Sequence, residues 1–585
     1  MLHRLLQKMD GKSFKNSLSR YDMASFCLLA LIWLVAIFTF ADYGVSWDEF
    51  YRWRGGQEKL VYYQTLFSGG EAQSMLPVRD VYPGLFDLSV ALLVEMTDLG
   101  PLQVGHALSL SCGLLTILAV WAIGRKLGGP RLAFWSALFL ALLPRFYGHM
   151  FFNPKDIPFA AGMTWSLYFL LKWGRRLPEP GWKSSVLLGA VIGLTMATRI
   201  GGMVLFGYVF GYAGYALIHR AVTQRLGFVA IIRQGIRLSG WMLVVGLVAW
   251  VALYPWWPAI HSNPISGPLK ALGTVSAYPW NGLVRFDGEF IRAAARPWHY
   301  PLTWLRLTLP DFFIAILITG CLLLSLKAKA CLRILCSPKG FPFVVVATAG
   351  LFPISYVILR NSVLYDGIRH LLFVLPPLAV LVAFAWCVLL EKLALRASYL
   401  PKIAFAVLAA VVIYQLSVMV RLHPYQYVYF NALSGGLPVM GERYDTEYWA
   451  TSLREVNLWA EDNMPERDEP YRVFSNTPFW LATMYLGPRF VLVRHPSQAE
   501  LFMTITRWGM DQRLPGETLY TVERFGVPFA VLKDLRKLSF PTVEKTEDEA
   551  FALPPEAGDI QAGAGKGPEA GESDYAPTEG GSVGQ

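Results

Sequence analysis

The stretch "ASFCLLALIWLVAIFTFA", Ala24 to Ala41, followed at once by "DYGVSWDEFYRW", Asp42 to Trp53, decides the reading of the whole chain. Eighteen residues without a charge are long enough to cross a hydrocarbon core. The run then stops at aromatic residues and an adjacent acidic pair, Asp48 and Glu49. Basic residues precede it: Arg4, Lys8, Lys12, Lys15 and Arg20. Positive charge holds a flank in the cytoplasm, so this span runs outward and delivers the acidic pair to the outer face. No small-residue cleavage site follows the run, which therefore reads as an uncleaved anchor.

Such runs recur along the first three quarters of the chain. Of its 585 residues, 54% are hydrophobic and only 16% charged, with a mean hydropathy of +0.39. This composition excludes an ordinary soluble domain. The runs are continuous rather than alternating, so a helix bundle, not a barrel, is expected. About eleven spans follow: 24–41, 106–124, 132–148, 157–173, 185–198, 203–218, 239–254, 311–326, 341–359, 371–390 and 402–420. Short basic loops, such as "GRKLGGPR", "KWGRR" and 219–237, fall on one side throughout. Long outer loops occupy about 43–105 and 255–310. The first contains two surface-lying helices, 57–67 and 85–96.

The net charge of +10 comes from those loop clusters, which argues against nucleic acid as a partner. The six cysteines, Cys27, Cys112, Cys321, Cys331, Cys336 and Cys387, lie in or beside apolar runs and suggest no disulfide framework. No internal repeat is apparent.

Residues 1–23 thus form a cytoplasmic N-terminus and residues 24–421 the membrane domain. The segment 422–540 differs in kind. Strand-like runs ("FVLVRH", "FAVLKDL") alternate with an amphipathic stretch ("YWATSLREVNLWAEDN"), which predicts a small outer α/β domain. Residues 541–585, rich in Gly, Glu, Pro and Ala, have the composition of a disordered tail. The fold class is mainly α: a polytopic transmembrane helix bundle with a small C-terminal α/β extracytoplasmic domain.

Ionisable residues at outer span ends are the candidates for chemistry, because charge at membrane depth is costly unless it faces a cavity or the interface. Asp48 reads either as a solvated carboxylate at a helix exit or as a base facing a cavity. Trp47, Phe50, Tyr51 and Trp53 suit a packed wall or an interfacial belt. In "FFNPKDIPF", Asn153 can cap the next span, Pro154 suits its first turn and Asp156 meets the helix dipole. Asp156 also reads as a second carboxylate close to Asp48, and Lys155 as a snorkelling cation. Arg199 interrupts an apolar run at "MATRIGG" and suits an anionic ligand. Arg369 and His370 open a span at "LYDGIRHLLFVLPP", either as interfacial anchors or as ligands, with Asp366 in reach of Arg369. Two carboxylates and several cations on one face suit a lipid-linked, phosphorylated substrate.

With these residues in place, the chain resembles the GT-C superfamily of membrane glycosyltransferases. The similarity is to the dolichyl-phosphate-mannose–protein mannosyltransferase group, of family 39 type, and to the aminoarabinose transferase of lipid A. It rests on the "DE" pair, "GRKLGG" closing the second span, "FFNPKDIPFA" and "YDGIRHLLFVLPPLAVL". It extends to "HPYQYVYFNALSGG" and "ERYDTEYWATSLRE", and covers about residues 20–460. The resemblance implies inverting transfer of a sugar from a polyprenyl phosphate to an acceptor hydroxyl, with Asp48 as general base, Glu49 completing the acidic pair and Asp156 orienting acceptor or sugar. The leaving phosphate needs cations rather than an acid. Arg199 and Arg369, with Lys155 and His370, are the candidates. No cofactor or metal is implied, although Asp48, Glu49 and Asp156 are able to bind a divalent cation. "RPWHYPLTW", Arg296 to Trp304, offers either a sugar- or isoprenoid-contacting surface or interfacial anchoring.

The expected partners are a polyprenyl-phosphate sugar donor, a lipid, glycan or protein acceptor, and membrane lipids, in a multi-pass protein of the plasma (inner) membrane. The eukaryotic members carry a β-trefoil domain inside a loop. This chain has none there, which counts against a protein acceptor. The competing reading is a transporter or flippase for a lipid-linked sugar, for which paired inverted repeats are expected.

Overall fold

A computed structural model describes residues 19–72, 82–276, 280, 282–326 and 328–538. Arg4, Lys8, Lys12, Lys15 and the tail 541–585 lie outside the described residues. The described part is a multi-pass helical membrane protein that carries a small sheet domain at its C-terminal end. The first helix, Arg20–Thr39, is closed at its start by a reciprocal Ser19–Asp22 capping box. It leaves Leu31, Trp33 and Phe38 exposed, as a helix facing lipid does.

Seven described helices are long and apolar enough to span a membrane, or eight if the bent pair Tyr300–Thr308 and Asp311–Ser325 counts as one. Ten of the eleven expected spans coincide with helices, and the difference from seven lies in particular elements. The run Pro101–Ala141 is two helices in one: Gly129 has φ +79 and is followed by Pro130. A Cβ on Gly124 would lie 2.9 Å from Ala133 Cα, whereas nine residues of straight helix would separate the two by about 13 Å. The chain therefore doubles back at "GGP" as a helical hairpin. Asp156–Gly174 is a helix outside the seven, and Trp182–Met196 has only 15 residues.

Three expectations need correction. The span 132–148 is broken: its helix ends at Ala141, and a separate helix, Pro144–Phe152, follows an extended Leu143. A residue that precedes proline is pushed out of the helical region. The loop 219–237 is largely helical, since Phe228–Leu253 takes in Arg233 and Arg237. Helix Asp156–Gly174 starts after Pro154, not around it. Asn153 still caps it, because Asn153 Oδ1 accepts the N–H groups of Lys155 (3.1 Å) and Asp156 (2.8 Å).

The basic ends of the helices meet. Arg125 pairs with Asp22, Arg175 donates to Lys126 O at 2.7 Å, and Arg237 pairs with Glu179. The opposite end of helix Asp156–Gly174 carries Asp156, and Arg369 opens the segment Arg369–Arg396, near whose other end Glu391 lies 3.9 Å from Arg131 Nη1. Both helices expected in the first long loop are present, as Glu49–Phe67 and Leu85–Met96, and Arg52 Nε donates to Asp87 Oδ1 (2.9 Å) between them. The second long loop holds an antiparallel hairpin of β1 (Leu283–Phe286) and β2 (Glu289–Arg292).

The C-terminal sheet has five strands: β3 (Tyr471–Phe474), β4 (Phe490–Leu492), β5 (Leu501–Ile505), β6 (Glu517–Arg524) and β7 (Val527–Asp534), in the order β4-β3-β5-β7-β6. β3 runs parallel to β4 and β5, while β7 is antiparallel to β5 and β6. The predicted strands are β4 and β7, and the amphipathic stretch forms helix Leu453–Asn463. Tyr448–Ser452 stays out of that helix, with Ala450 at φ +62. The hydrophobic core is continuous from the bundle into this domain.

Candidate functional site

The quoted stretch is pinned at almost every residue. A Cβ on Gly44 would lie 2.1 Å from Thr451 O, so this approach of two backbones needs glycine. Val45 N–H donates to Tyr485 Oη (3.1 Å), Ser46 Oγ–H to Phe152 O (3.1 Å) and Trp47 N–H to Trp449 O (3.0 Å). Phe50 stacks on Trp480 of the sheet domain, with ring centroids 4.9 Å apart and planes at 15°. The aromatics are therefore a packed wall that docks the first loop onto the C-terminal domain.

This frame aims Asp48, at the N-cap of helix Glu49–Phe67, into a cluster of cations. Arg369 Nη1 donates to Asp48 Oδ2 at 3.0 Å, and Lys155 Nζ lies 3.6 Å from the same oxygen. Burial raises the Asp48 carboxyl, but Lys155 and Arg369, with Arg52 behind them, outweigh it and hold it well below the usual carboxylate range. Asp48 keeps 20% of its side chain exposed, so the cluster is open to a ligand at this carboxylate.

Arg369 is 7% exposed and is held from two further sides. Its Nε lies 3.2 Å from Asp366 Oδ2, the pairing expected from sequence, and its guanidinium sits over Tyr365 (4.8 Å) and Trp449 (5.0 Å). Lys155 sits over the Tyr82 ring at 5.1 Å. His370 is half-buried edge-on to Tyr365, with centroids 4.6 Å apart. Asp156 pairs with Arg199 and accepts from Asn153 Nδ2 at 3.1 Å. Asp48, Lys155 and Arg369 thus make direct contact, and Asp156 with Arg199 forms a second pair one residue along from Lys155.

Glu49 is placed elsewhere. It accepts Ser46 N–H at 2.6 Å and pairs with His106 Nε2 at 2.9 Å. It faces a largely apolar cavity of about 550 Å³ whose walls include Tyr43, Phe50, Trp53, Phe86 and Leu102. The adjacent acidic pair is split because neighbouring residues at a helix start point in different directions. The "RPWHYPLTW" surface is not open either. Tyr300 and Trp304 are fully buried, Arg296 Nε donates to Ser362 O (3.0 Å), and Trp298 alone of the three aromatics Trp298, Tyr300 and Trp304 is exposed.

Several site residues escaped the sequence reading. Arg145 is 1% exposed, donates to Tyr429 O (3.1 Å) and sits over Trp304 (4.9 Å). A lone arginine after "LLP" carried the same signal as Arg199. Tyr365, Trp449 and Arg507 gave no local signal, since their roles depend on distant partners. Among the described residues, no group of three or more His, Cys, Asp or Glu is arranged to hold a metal ion.

Part of this framework has a family counterpart. Residues 96–252 match the family described as dolichyl-phosphate-mannose-protein mannosyltransferase. The matched segment contains the helical hairpin, Lys155, Asp156 and Arg199, and bears out over that length the resemblance read from the sequence. Asp48 and Arg369 lie to either side of it. No curated protein matches the chain. Among solved structures, the chain is similar to the archaeal oligosaccharyltransferase AglB from Archaeoglobus fulgidus, in complex with an inhibitory peptide and a dolichol-phosphate. The identity is 13%, over 82% of this chain and 69% of that one, with a TM-score of 0.45. It is also similar to ArnT from Cupriavidus metallidurans bound to undecaprenyl phosphate, at 15% identity over 88% and 98% of the two chains, with a TM-score of 0.42.

Proposed function

We propose that this chain is an integral membrane glycosyltransferase that moves a sugar from a polyprenyl-phosphate donor to an acceptor hydroxyl, with inversion and with Asp48 as general base. The observation that carries the reading is the contact of one part-exposed carboxylate with two cations, Lys155 and Arg369, at one end of the bundle. A base and a phosphate clamp share one site.

In this reading the donor's phosphate occupies Lys155 and Arg369, with Arg199 and His370 close by. Without a ligand, those cations make Asp48 a poor base. A phosphate that draws them away raises its basicity at the moment the donor is bound. The acceptor oxygen then forms a bond to the anomeric carbon as the carbon–oxygen bond to phosphate breaks. The bonding pair leaves with the phosphate oxygen, and the acceptor proton passes to Asp48. The phosphate gains a negative charge in this step, which preorganised cations stabilise. Arginine suits two-pronged contact with phosphate oxygens. Asp156, fixed by Asn153 and Arg199, orients the acceptor or sugar. Glu49 anchors the loop through Ser46 and His106 rather than reacting.

The basic helix ends support a cytoplasmic placement of their face and an extracytoplasmic site, in a plasma (inner) membrane. A flippase needs a site reachable from both faces, whereas this cluster lies at one end.

The test is reconstitution of the full chain in liposomes with polyprenyl phosphates carrying labelled sugars, and with envelope lipids, glycans and proteins as acceptors. The expected result is free polyprenyl phosphate formed in step with a labelled acceptor of inverted anomeric configuration. Movement of intact lipid-linked sugar across the bilayer without cleavage would overturn the reading.

A further inference from the structure

One side chain of the sheet domain, Arg507, joins the charged cluster by an ion pair. Arg507 follows β5, where the backbone turns at Trp508 with φ +57, a left-handed conformation that side chains of this size rarely adopt. The turn is paid for in contacts: Trp508 Nε1 donates to Leu283 O (2.8 Å), and the Arg507 guanidinium lies 4.2 Å from the Trp508 ring centroid. Arg507 is nine-tenths buried, donating through Nη1 to Tyr448 O (2.8 Å) and through Nη2 to Asp366 Oδ1 (2.6 Å). Asp366 is also left-handed, at φ +56, and its other oxygen, Oδ2, forms an ion pair with Arg369 Nε at 3.2 Å. Arg369 in turn donates to Asp48. The four side chains form an unbroken alternation of charge from the sheet domain to the proposed base.

We propose that Arg507 is a positioning residue for sugar transfer. It fixes Asp366, which fixes the orientation of Arg369 against Asp48 and the donor phosphate. The C-terminal domain is then part of the active site rather than an appended module. Asp366 is shared between two arginines. Without Arg507, Asp366 loses the contact that fixes its Oδ1 and no longer holds Arg369 Nε in place, so the Arg369 guanidinium is released from its position against Asp48. This inference rests on the glycosyltransferase reading for its kinetic consequence but not for its geometric one.

The test uses the full chain in detergent, with Arg507→Gln, Asp366→Asn, the double variant and Arg507→Lys. The first readout needs no turnover: phenylglyoxal modification of Arg369, quantified by peptide mass spectrometry against exposed Arg472 as reference. Modification of Arg369 is expected to rise several-fold in Arg507→Gln and Asp366→Asn. In transfer assays, kcat falls about ten- to a hundredfold with KM little changed, the scale of one charge-assisted hydrogen bond. Arg507→Lys recovers part of the loss, and the double variant is no worse than Asp366→Asn alone, since the two residues act in series. A lowered melting temperature with Arg369 modification at the wild-type level in either single variant overturns the proposal, as do additive losses in the double variant. If Arg507→Gln fails to fold, Asp366→Asn and Arg507→Lys still decide it. Absence of any transfer by wild-type protein would instead count against the glycosyltransferase reading, and the modification rates would still decide the role of Arg507.

Discussion

Replacing Arg369 with lysine keeps the charge and removes the geometry. Arg369 meets Asp48 through Nη1 at 3.0 Å and Asp366 through Nε at 3.2 Å, and sits over Tyr365 and Trp449. A single ammonium on a flexible stem cannot face both carboxylates from separate atoms, so one charge-assisted contact is lost, at about 1.5–3 kcal/mol. Reduced stacking on two aromatic faces adds about 0.5–1 kcal/mol. Between Arg369 and Asp366, 7% and 6% exposed, there is little access for water to make good the loss. We therefore expect Arg369→Lys to lower stability by about 2–4 kcal/mol and, because the same fork grips the leaving phosphate, to cut kcat roughly thirty- to a thousandfold. Thermal unfolding in detergent reads the first quantity and initial rates at saturating donor read the second. A lysine variant within twofold of wild-type turnover and with an unchanged melting temperature would refute the two-carboxylate clamp.

Other perturbations probe the frame. Gly44→Ala places a Cβ 2.1 Å from a backbone oxygen, so we expect at least about 1–3 kcal/mol of destabilisation, read as a drop in melting temperature. Asp445 is buried where its carboxyl is pushed up to about 7, by burial first and by Asp366 as well, against the pull of Arg507. Such a group favours the fold while protonated, so its contribution is present below pH 4 and is lost as pH rises through 7. Wild-type stability should decline between pH 4 and 7 by up to about 4 kcal/mol relative to Asp445→Asn. Parallel pH–stability curves for the two proteins would contradict this.

Legibility in the sequence followed physical range. Spans, loop helices and the strands β4 and β7 are written in local periodicity and composition, and most of them formed where expected. The hairpin at Gly129–Pro130 was also legible, as the basic turn "GRKLGGPR" between two expected spans, whereas apolar continuity masked the break at Pro144. Asp48, Lys155 and Arg369 stood out because charge at a span end demands a reason. Their direct contact did not, since Arg369 lies 321 residues from Asp48 in the chain. Glu49 shows the limit most plainly: adjacency to Asp48 suggested a shared role, and only the positions of Ser46 and His106 reveal that it turns away. Arg507 sits 141 residues from Asp366, in a segment that reads as the surface of a separate domain.

The central claim is that Asp48 takes the acceptor proton beside a cationic phosphate clamp, and Asp48→Asn in reconstituted protein tests it most directly, with turnover and polyprenyl-phosphate binding measured on one sample. The amide keeps the size of the side chain and frees Lys155 and Arg369 from a competing carboxylate. The account predicts turnover reduced at least about a hundredfold, the scale of a lost general base, with lipid-phosphate binding retained or tighter. Wild-type turnover by the Asp48→Asn protein would contradict it.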